Sequence, residues 1–255
     1  MIPLSDENET LRTPAVTVGL IGVSLAVWVL VQGAGLNPRT LAGSVCDYGM
    51  VPGEITRRAA LNTWIPIGHG LACVIDNWAL NYLTPIFSIF LHGSWGHLLG
   101  NMLFLWVFGH SVEDSMGRGR FLGFYLSCGL VAAAAHIVLN PGSPVPTVGA
   151  SGAISGVMGA YLVMYPMVRV RMLFFVFVVP VRAWLVLLYW FFLQLAQAFT
   201  ELGPLNRGVS GGVAVWAHVG GFVAGVSLVR RFENYELVRR RSHAGLTPSF
   251  ASVEP

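Results

Sequence analysis

The chain contains no lysine: all 15 basic side chains are arginine, and charged residues fill only 11% of its 255 positions. Hydrophobic residues make up 55% and the mean hydropathy is +0.65, so polar surface is too scarce to solvate an ordinary soluble domain. Acids are missing where intramembrane proton relays place them, since no carboxylate falls in the outer half of any apolar run. That gap argues against a proton-coupled transporter. The chain has 7 histidines but neither His-Glu-x-x-His nor Cys-x-x-Cys, so zinc hydrolysis lacks its usual ligands and base, and no metal or other cofactor is expected. Of three cysteines, Cys128 lies in an apolar run and reads as a small core residue. Cys46 and Cys73 share one connection, where an oxidising compartment would let them pair.

What is present is a series of apolar runs. Six approach the roughly 20 residues needed to cross a hydrocarbon core: about Pro14–Val31, Ser88–Gly109, Phe121–Leu139, Ala150–Val168, Val181–Phe199 and Val213–Val229. The expected fold is an all-α bundle of six transmembrane helices. Its parts are an amino-terminal tail over 1–13, a membrane domain over 14–231 and a short, basic, flexible tail over 232–255. Asp6, Glu7 and Glu9 precede the first basic residue, the wrong charge for a secretory leader, so the first run is expected to be retained as a helix. With six crossings, Arg12, Arg118, Arg120, Arg169, Arg171, Arg182, Arg230, Arg231, Arg239, Arg240 and Arg241 lie on one side, against Arg39, Arg57, Arg58 and Arg207 on the other. This bias puts both termini in the cytoplasm. The arginines sit beside helix ends rather than in one stripe, which gives no reason to expect nucleic-acid binding.

The first external connection, 32–87, is long. Within it Leu61–Leu83 is rich in tryptophan and broken by Pro66, Gly68 and Gly70, which suits a hairpin-like segment partly embedded at the interface. The alternative is a seventh helix, with the termini then on opposite sides.

In the six-crossing arrangement the second, fourth and sixth helices all run inward, so the polar residues opening each share one depth. These are His92, His97 and Asn101, then Ser151 after the proline-rich loop 141–146, then His218 about five residues into the sixth run. Gly152 and Gly156, the series Ser151, Ser155 and Gly159, and the series Ala217, Gly221 and Gly225 all repeat at four-residue spacing. Such stripes let helix backbones close together in lipid, so the fourth and sixth helices are candidates to touch. A serine beside a histidine is the smallest nucleophile and base pair, and His97 and Asn101 share a helix face from which both can donate to an oxyanion. The plain alternative is that the small residues only pack and the histidines bond to neighbouring backbone. His92 reads as structural, and Asp47 or Asp76 would be needed to complete a triad.

In this order, His92-Gly93-Ser94-Trp95-Gly96-His97-Leu98-Leu99-Gly100-Asn101, Gly149-Ala150-Ser151-Gly152 and Ala217-His218-Val219-Gly220-Gly221 resemble the rhomboid intramembrane serine proteases in their bacterial six-helix form. The resemblance implies Ser151 as nucleophile and His218 as general base. It makes His97, Asn101 and the backbone N–H of Ser151 the oxyanion hole, with His92, Gly149, Gly152, Gly221 and Glu113 in supporting roles. The implied activity is hydrolysis of transmembrane protein substrates near the outer membrane face. Two departures stand out: Ser155 occupies a position where some relatives carry an aromatic ring against the histidine, and the first loop lacks an obvious Trp-Arg pair, although Trp64 and Arg57-Arg58 lie nearby. The alternatives are a non-catalytic rhomboid-like binding or chaperone protein and a histidine-lined transporter or channel. The fifth run, with Trp184, Trp190, Phe191 and Phe192, is either loosely packed for lateral substrate access or simply faces lipid.

Overall fold

The computed structural model describes residues 2–68, 70–201 and 214–246. Arg207, Val213 and the final part of the expected tail, 247–255, lie outside them. In chain order the described elements are β1 (Ile2–Asp6), α1 (Ala15–Leu30), α2 (Pro38–Tyr48), α3 (Pro52–Ile55), β2 (Trp64–Gly68), β3 (Leu71–Val74), α4 (Thr84–Phe87) and α5 (Trp95–Met116). Then follow α6 (Arg118–Leu139), α7 (Ser151–Met164), β4 (Arg169–Phe174), β5 (Phe177–Arg182), α8 (Ala183–Glu201), α9 (Val215–Phe232) and α10 (Tyr235–His243). The chain is mostly helical, and α1, α5, α6, α7, α8 and α9 each overlap one of the six apolar runs. Among the described residues two helices, Arg118–Leu139 and Ala183–Thr200, are long and apolar enough to cross a membrane by length and composition, whereas Ala15–Leu30 and Ser151–Met164 are apolar but shorter.

Helix ends differ from the expected ones for local reasons. The second run begins with a 3-10 turn over Ser88–Phe90, and α5 starts only at Trp95, where Ser94 Oγ accepts the His97 N–H at 3.1 Å as an N-cap. His92 therefore precedes the helix instead of opening it. Similarly, α9 starts at Val215, which places His218 in its first turn rather than five residues in.

The tightest packing in the bundle joins α6, α7 and α9. A β-carbon on Gly221 would overlap the carbonyl oxygen of Gly152, one on Gly225 that of Gly156, and one on Gly159 that of Phe222. Along both stripes, α7 and α9 thus meet backbone to backbone. The third helix fills the seam with small side chains: a β-carbon on Gly152 would lie 2.7 Å from Ala132 Cβ, and one on Gly129 3.3 Å from Ala153 Cβ. Lipid offers apolar helices no hydrophobic drive to associate, so close van der Waals approach holds them.

The expectation of an all-α chain needs correction. Strands β1, β4 and β5 form an antiparallel sheet in the order β1-β4-β5, with Val170 and Met172 of β4 buried between exposed Arg169 and Arg171. This alternation has the period of a strand but is hidden inside a long apolar stretch. Residues 2–6 of the expected amino-terminal tail are therefore a sheet strand. Strands β2 and β3 form a hairpin, so no seventh helix occupies that stretch, and Cys46 of α2 is joined to Cys73 of β3 in a disulfide with a Cα–Cα distance of 5.3 Å.

The carboxy-terminal tail differs too. Helix α10 docks against α5 through Arg241, which is fully buried, bonds Asp114, donates to Asn8 Oδ1 at 2.9 Å and lies over the Tyr165 ring. Asp114 also accepts the Leu11 N–H at 3.0 Å and pairs with Arg12 at 3.3 Å. Beside it, Glu113 accepts from Val16 N at 3.0 Å, Thr17 N at 2.7 Å and Thr17 Oγ1 at 2.8 Å. It thereby supplies an anion to the otherwise unpaired N–H groups that open α1. One turn of α5 thus ties down both the segment before α1 and helix α10, because a buried guanidinium needs a paired, hydrogen-bonded counter-charge.

Two substitutions test this packing. Arg241→Ala removes one partner of a buried pair and is expected to weaken docking of α10 by about 3–5 kcal/mol, so amide exchange over 235–243 accelerates. Arg230→Ala, at an exposed site, leaves that exchange unchanged. Gly225→Ala forces α7 and α9 apart and lowers the thermal midpoint in detergent. Gly22→Ala, whose β-carbon meets nothing within 4 Å, leaves the midpoint level or raises stability by about 0.5–1 kcal/mol. Equal effects at the two glycines would contradict the packing described.

Candidate active site

The close approach of α7 and α9 has a chemical result at their amino-terminal ends. His218 Nε2 and Ser151 Oγ stand 2.7 Å apart, hydrogen-bonded across 67 residues of sequence. Each occupies the first turn of its helix, and each is half-buried in the wall of a cavity of about 360 Å³. His97, Asn101, Trp190 and Gln194 share that wall.

Ser151 is the first residue of α7, so its N–H is among the amides that have no partner within the helix, at the positive end of the helix dipole. Before it, Gly149 has a φ of +128°, which only glycine adopts without strain. The same residue leaves room for the α5 side chains: a β-carbon there would lie 2.7 Å from His97 Nε2 and 3.6 Å from Asn101 Nδ2. Both side chains therefore rest against the backbone that delivers Ser151. Asn101 is buried, and its Nδ2 has no hydrogen-bond partner among the described residues. It is an unpartnered donor beside Gly149 in the wall of the same cavity.

The loop into Ser151 is anchored from outside. Met50 and Thr147 exchange two backbone hydrogen bonds of 2.9 and 2.8 Å, Gly53 N donates to Ser143 O at 2.8 Å, and Gly149 N donates to Ser88 O at 2.8 Å. Thr56 Oγ1 donates to Pro141 O. The first connection thus clamps the loop 141–149, a role for Met50, Gly53 and Thr56 that sequence reading missed. No local signal marks it, since the bonds are mostly between backbone groups far apart in the chain.

His92 lies near the site but takes no part in the Ser151 contact. Its backbone N–H donates to Gln32 Oε1 and its carbonyl accepts from Gln32 Nε2, each at 2.8 Å, and its buried ring packs edge-on to His97 at 5.2 Å. Gly152 and Gly221 act through the helix contact already described, and Glu113 lies at the far end of α5. Asp76 is engaged by the Trp78 N–H and Asn81 Nδ2, and no carboxylate lines the cavity among the described residues. Among those residues no three His, Cys, Asp or Glu side chains gather so as to hold a metal ion.

The second ring nitrogen of His218 meets a residue that sequence reading passed over. Nδ1 is 2.7 Å from Gln194 Oε1, and the Trp190 ring, one turn earlier on α8, lies 5.9 Å from the His218 ring at 41°. Ser155, which replaces the aromatic of some relatives, donates to the Ser151 carbonyl at 2.6 Å. Support for His218 comes from α8, not from α7. An amide four residues after Trp190 in an apolar run, the first of two with Gln197, was the available signal.

This arrangement can deliver a serine hydroxyl, an imidazole to accept its proton, and donors for a developing negative charge. Residues 80–232 match the family model of the Rhomboid domain. The chain is 48% identical over 80 residues to "Rhomboid protease GluP" of Bacillus subtilis (strain 168), covering 31% of this chain and 15% of that protein. It is 32% identical over 148 residues to "Rhomboid protein 1, mitochondrial" of Saccharomyces cerevisiae, covering 56% and 40%. With the "Putative rhomboid protease YdcA" of B. subtilis it shares 36% over 97 residues, covering 38% and 46%. The matched stretch is thus less than half the length of each of these relatives. With the domain match extending over more than half of its own length and a serine–histidine contact at the centre of that match, the chain belongs to the rhomboid family of integral membrane proteins.

Proposed function

We propose that this chain is an intramembrane serine endopeptidase that hydrolyses peptide bonds of other transmembrane proteins through Ser151 and His218. The single observation that carries this reading is the 2.7 Å contact between Ser151 Oγ and His218 Nε2. In the proposed topology α1, α5, α6, α7, α8 and α9 cross a bacterial inner membrane, with both termini cytoplasmic and the arginine-rich ends inward. Helix α7 has 14 residues, or about 21 Å, against a hydrocarbon core of about 30 Å. If its inner end reaches the cytoplasmic face, Ser151 lies well below the outer one, at the depth of a substrate helix rather than of a soluble peptide.

A substrate helix hides its carbonyls in backbone hydrogen bonds, so it must unwind near the outer leaflet before attack. Weak helix formers such as glycine lower that cost. His218 Nε2 takes the Ser151 proton as Oγ bonds to the scissile carbonyl carbon. The oxyanion is held by the Ser151 N–H, His97 and Asn101, and the imidazolium then protonates the leaving amine as the C–N bond breaks. Water repeats the sequence to release the acyl group. Lateral access past α8 is consistent with the exposure of Tyr189, Phe192 and Leu193 on its outer side.

Reconstituted in proteoliposomes with a model transmembrane substrate, Ser151→Ala and His218→Ala are expected to leave no detectable cleavage. His97→Ala or Asn101→Ala lowers turnover about 10²–10³-fold. Undiminished cleavage by the serine or histidine variant would overturn the proposal.

A further inference from the structure

A neutral histidine carries one N–H, and which nitrogen holds it decides whether the ring can act as a base toward Ser151. With Nδ1–H donating to Gln194 Oε1 across 2.7 Å, the Nε2 lone pair faces Ser151 Oγ at 2.7 Å. The other amide orientation would donate to Nδ1 and put the proton on Nε2, where it opposes proton transfer. Trp190 borders the same ring from the same helix, and Ser155 leaves no aromatic on α7 to do so.

We propose that Gln194 is a positioning residue, the third member of the Ser151–His218 pair, which fixes the productive tautomer and ring orientation while Trp190 limits the ring's swing. The proposal rests on the reading of Ser151 as nucleophile and His218 as base. As Oγ bonds to the carbonyl carbon, its proton passes to Nε2, and the Nδ1–H bond to Gln194 stays in place. The Nε2 proton then goes to the amine nitrogen as the C–N bond breaks. A neutral amide orients the imidazole through the same acceptor contact that a carboxylate would make. The cavity wall, free of carboxylates among the described residues, offers no competing acceptor of that kind.

The test separates orientation from packing by crossing two variants of equal chain length. In proteoliposomes with the model substrate, Gln194→Met keeps the shape but loses the acceptor, and should lower kcat about 10²-fold with KM changed less than about twofold. Gln194→Glu keeps an acceptor oxygen and should stay within about tenfold of the parent. A role in packing alone predicts the reverse order, with Met near parental and Glu impaired by its buried charge. The proposal is overturned if Gln194→Met turns over at the parental rate, whatever the Glu variant does, or if its defect lies in KM alone. Ser151→Ala and His218→Ala run beside them. If those two still cleave, the underlying pair is wrong, whereas if they are inactive and Gln194→Met is not, only the role of Gln194 fails.

Discussion

Helices α7 and α9 can approach until backbone meets backbone only because positions 156 and 159 on one helix and 221 and 225 on the other are glycine. That spacing brings the first turns of both helices together, and the first turns carry Ser151 and His218. In lipid, where apolar side chains gain little by leaving their surroundings, such an approach is governed by shape. A single added methyl in the seam therefore moves His218 away from Ser151, and the proposed chemistry depends on residues that have none themselves.

The rest of the structure holds this seam steady from its two ends. At one end, the loop before Ser151 is clamped by Met50, Gly53 and Thr56, and Gly149 lets His97 and Asn101 rest on the chain just before the serine. At the other, Asp114 and Glu113 gather the amino-terminal segment, the start of α1 and helix α10 around the end of α5. Asp6 extends this network by accepting from Ser111 and Tyr161 and pairing with His110, so strand β1 is fastened to α5 and α7 together. Charge is thus concentrated away from the site, whose polar residues are hydroxyl, amide and imidazole groups.

Much of the helical plan could be read from the sequence because apolar runs and four-residue small stripes are local signals. That Ser151, His218, His97 and Asn101 would gather was legible for the same reason, since each sits at a recognisable place in such a run and all four line one cavity. The three-stranded sheet was not, since β1 and β4 pair across more than 160 residues and the alternation in β4 merges into its apolar neighbours. Docking of α10 was hidden because a run of three arginines reads as a solvated tail until the partner of Arg241 is known, and Asp114 lies 127 residues away. Gln194 escaped notice because aromatic residues dominate its helix and its meaning depends on a histidine that belongs to another.

The most direct measurement of the central claim is to treat the protein in proteoliposomes with a serine-reactive fluorophosphonate and map the adduct by peptide mass spectrometry. A working Ser151–His218 pair gives a single adduct on Ser151 that fails to form in a chain lacking the His218 imidazole. An adduct on a different serine, or one on Ser151 that forms equally well without that imidazole, would contradict it.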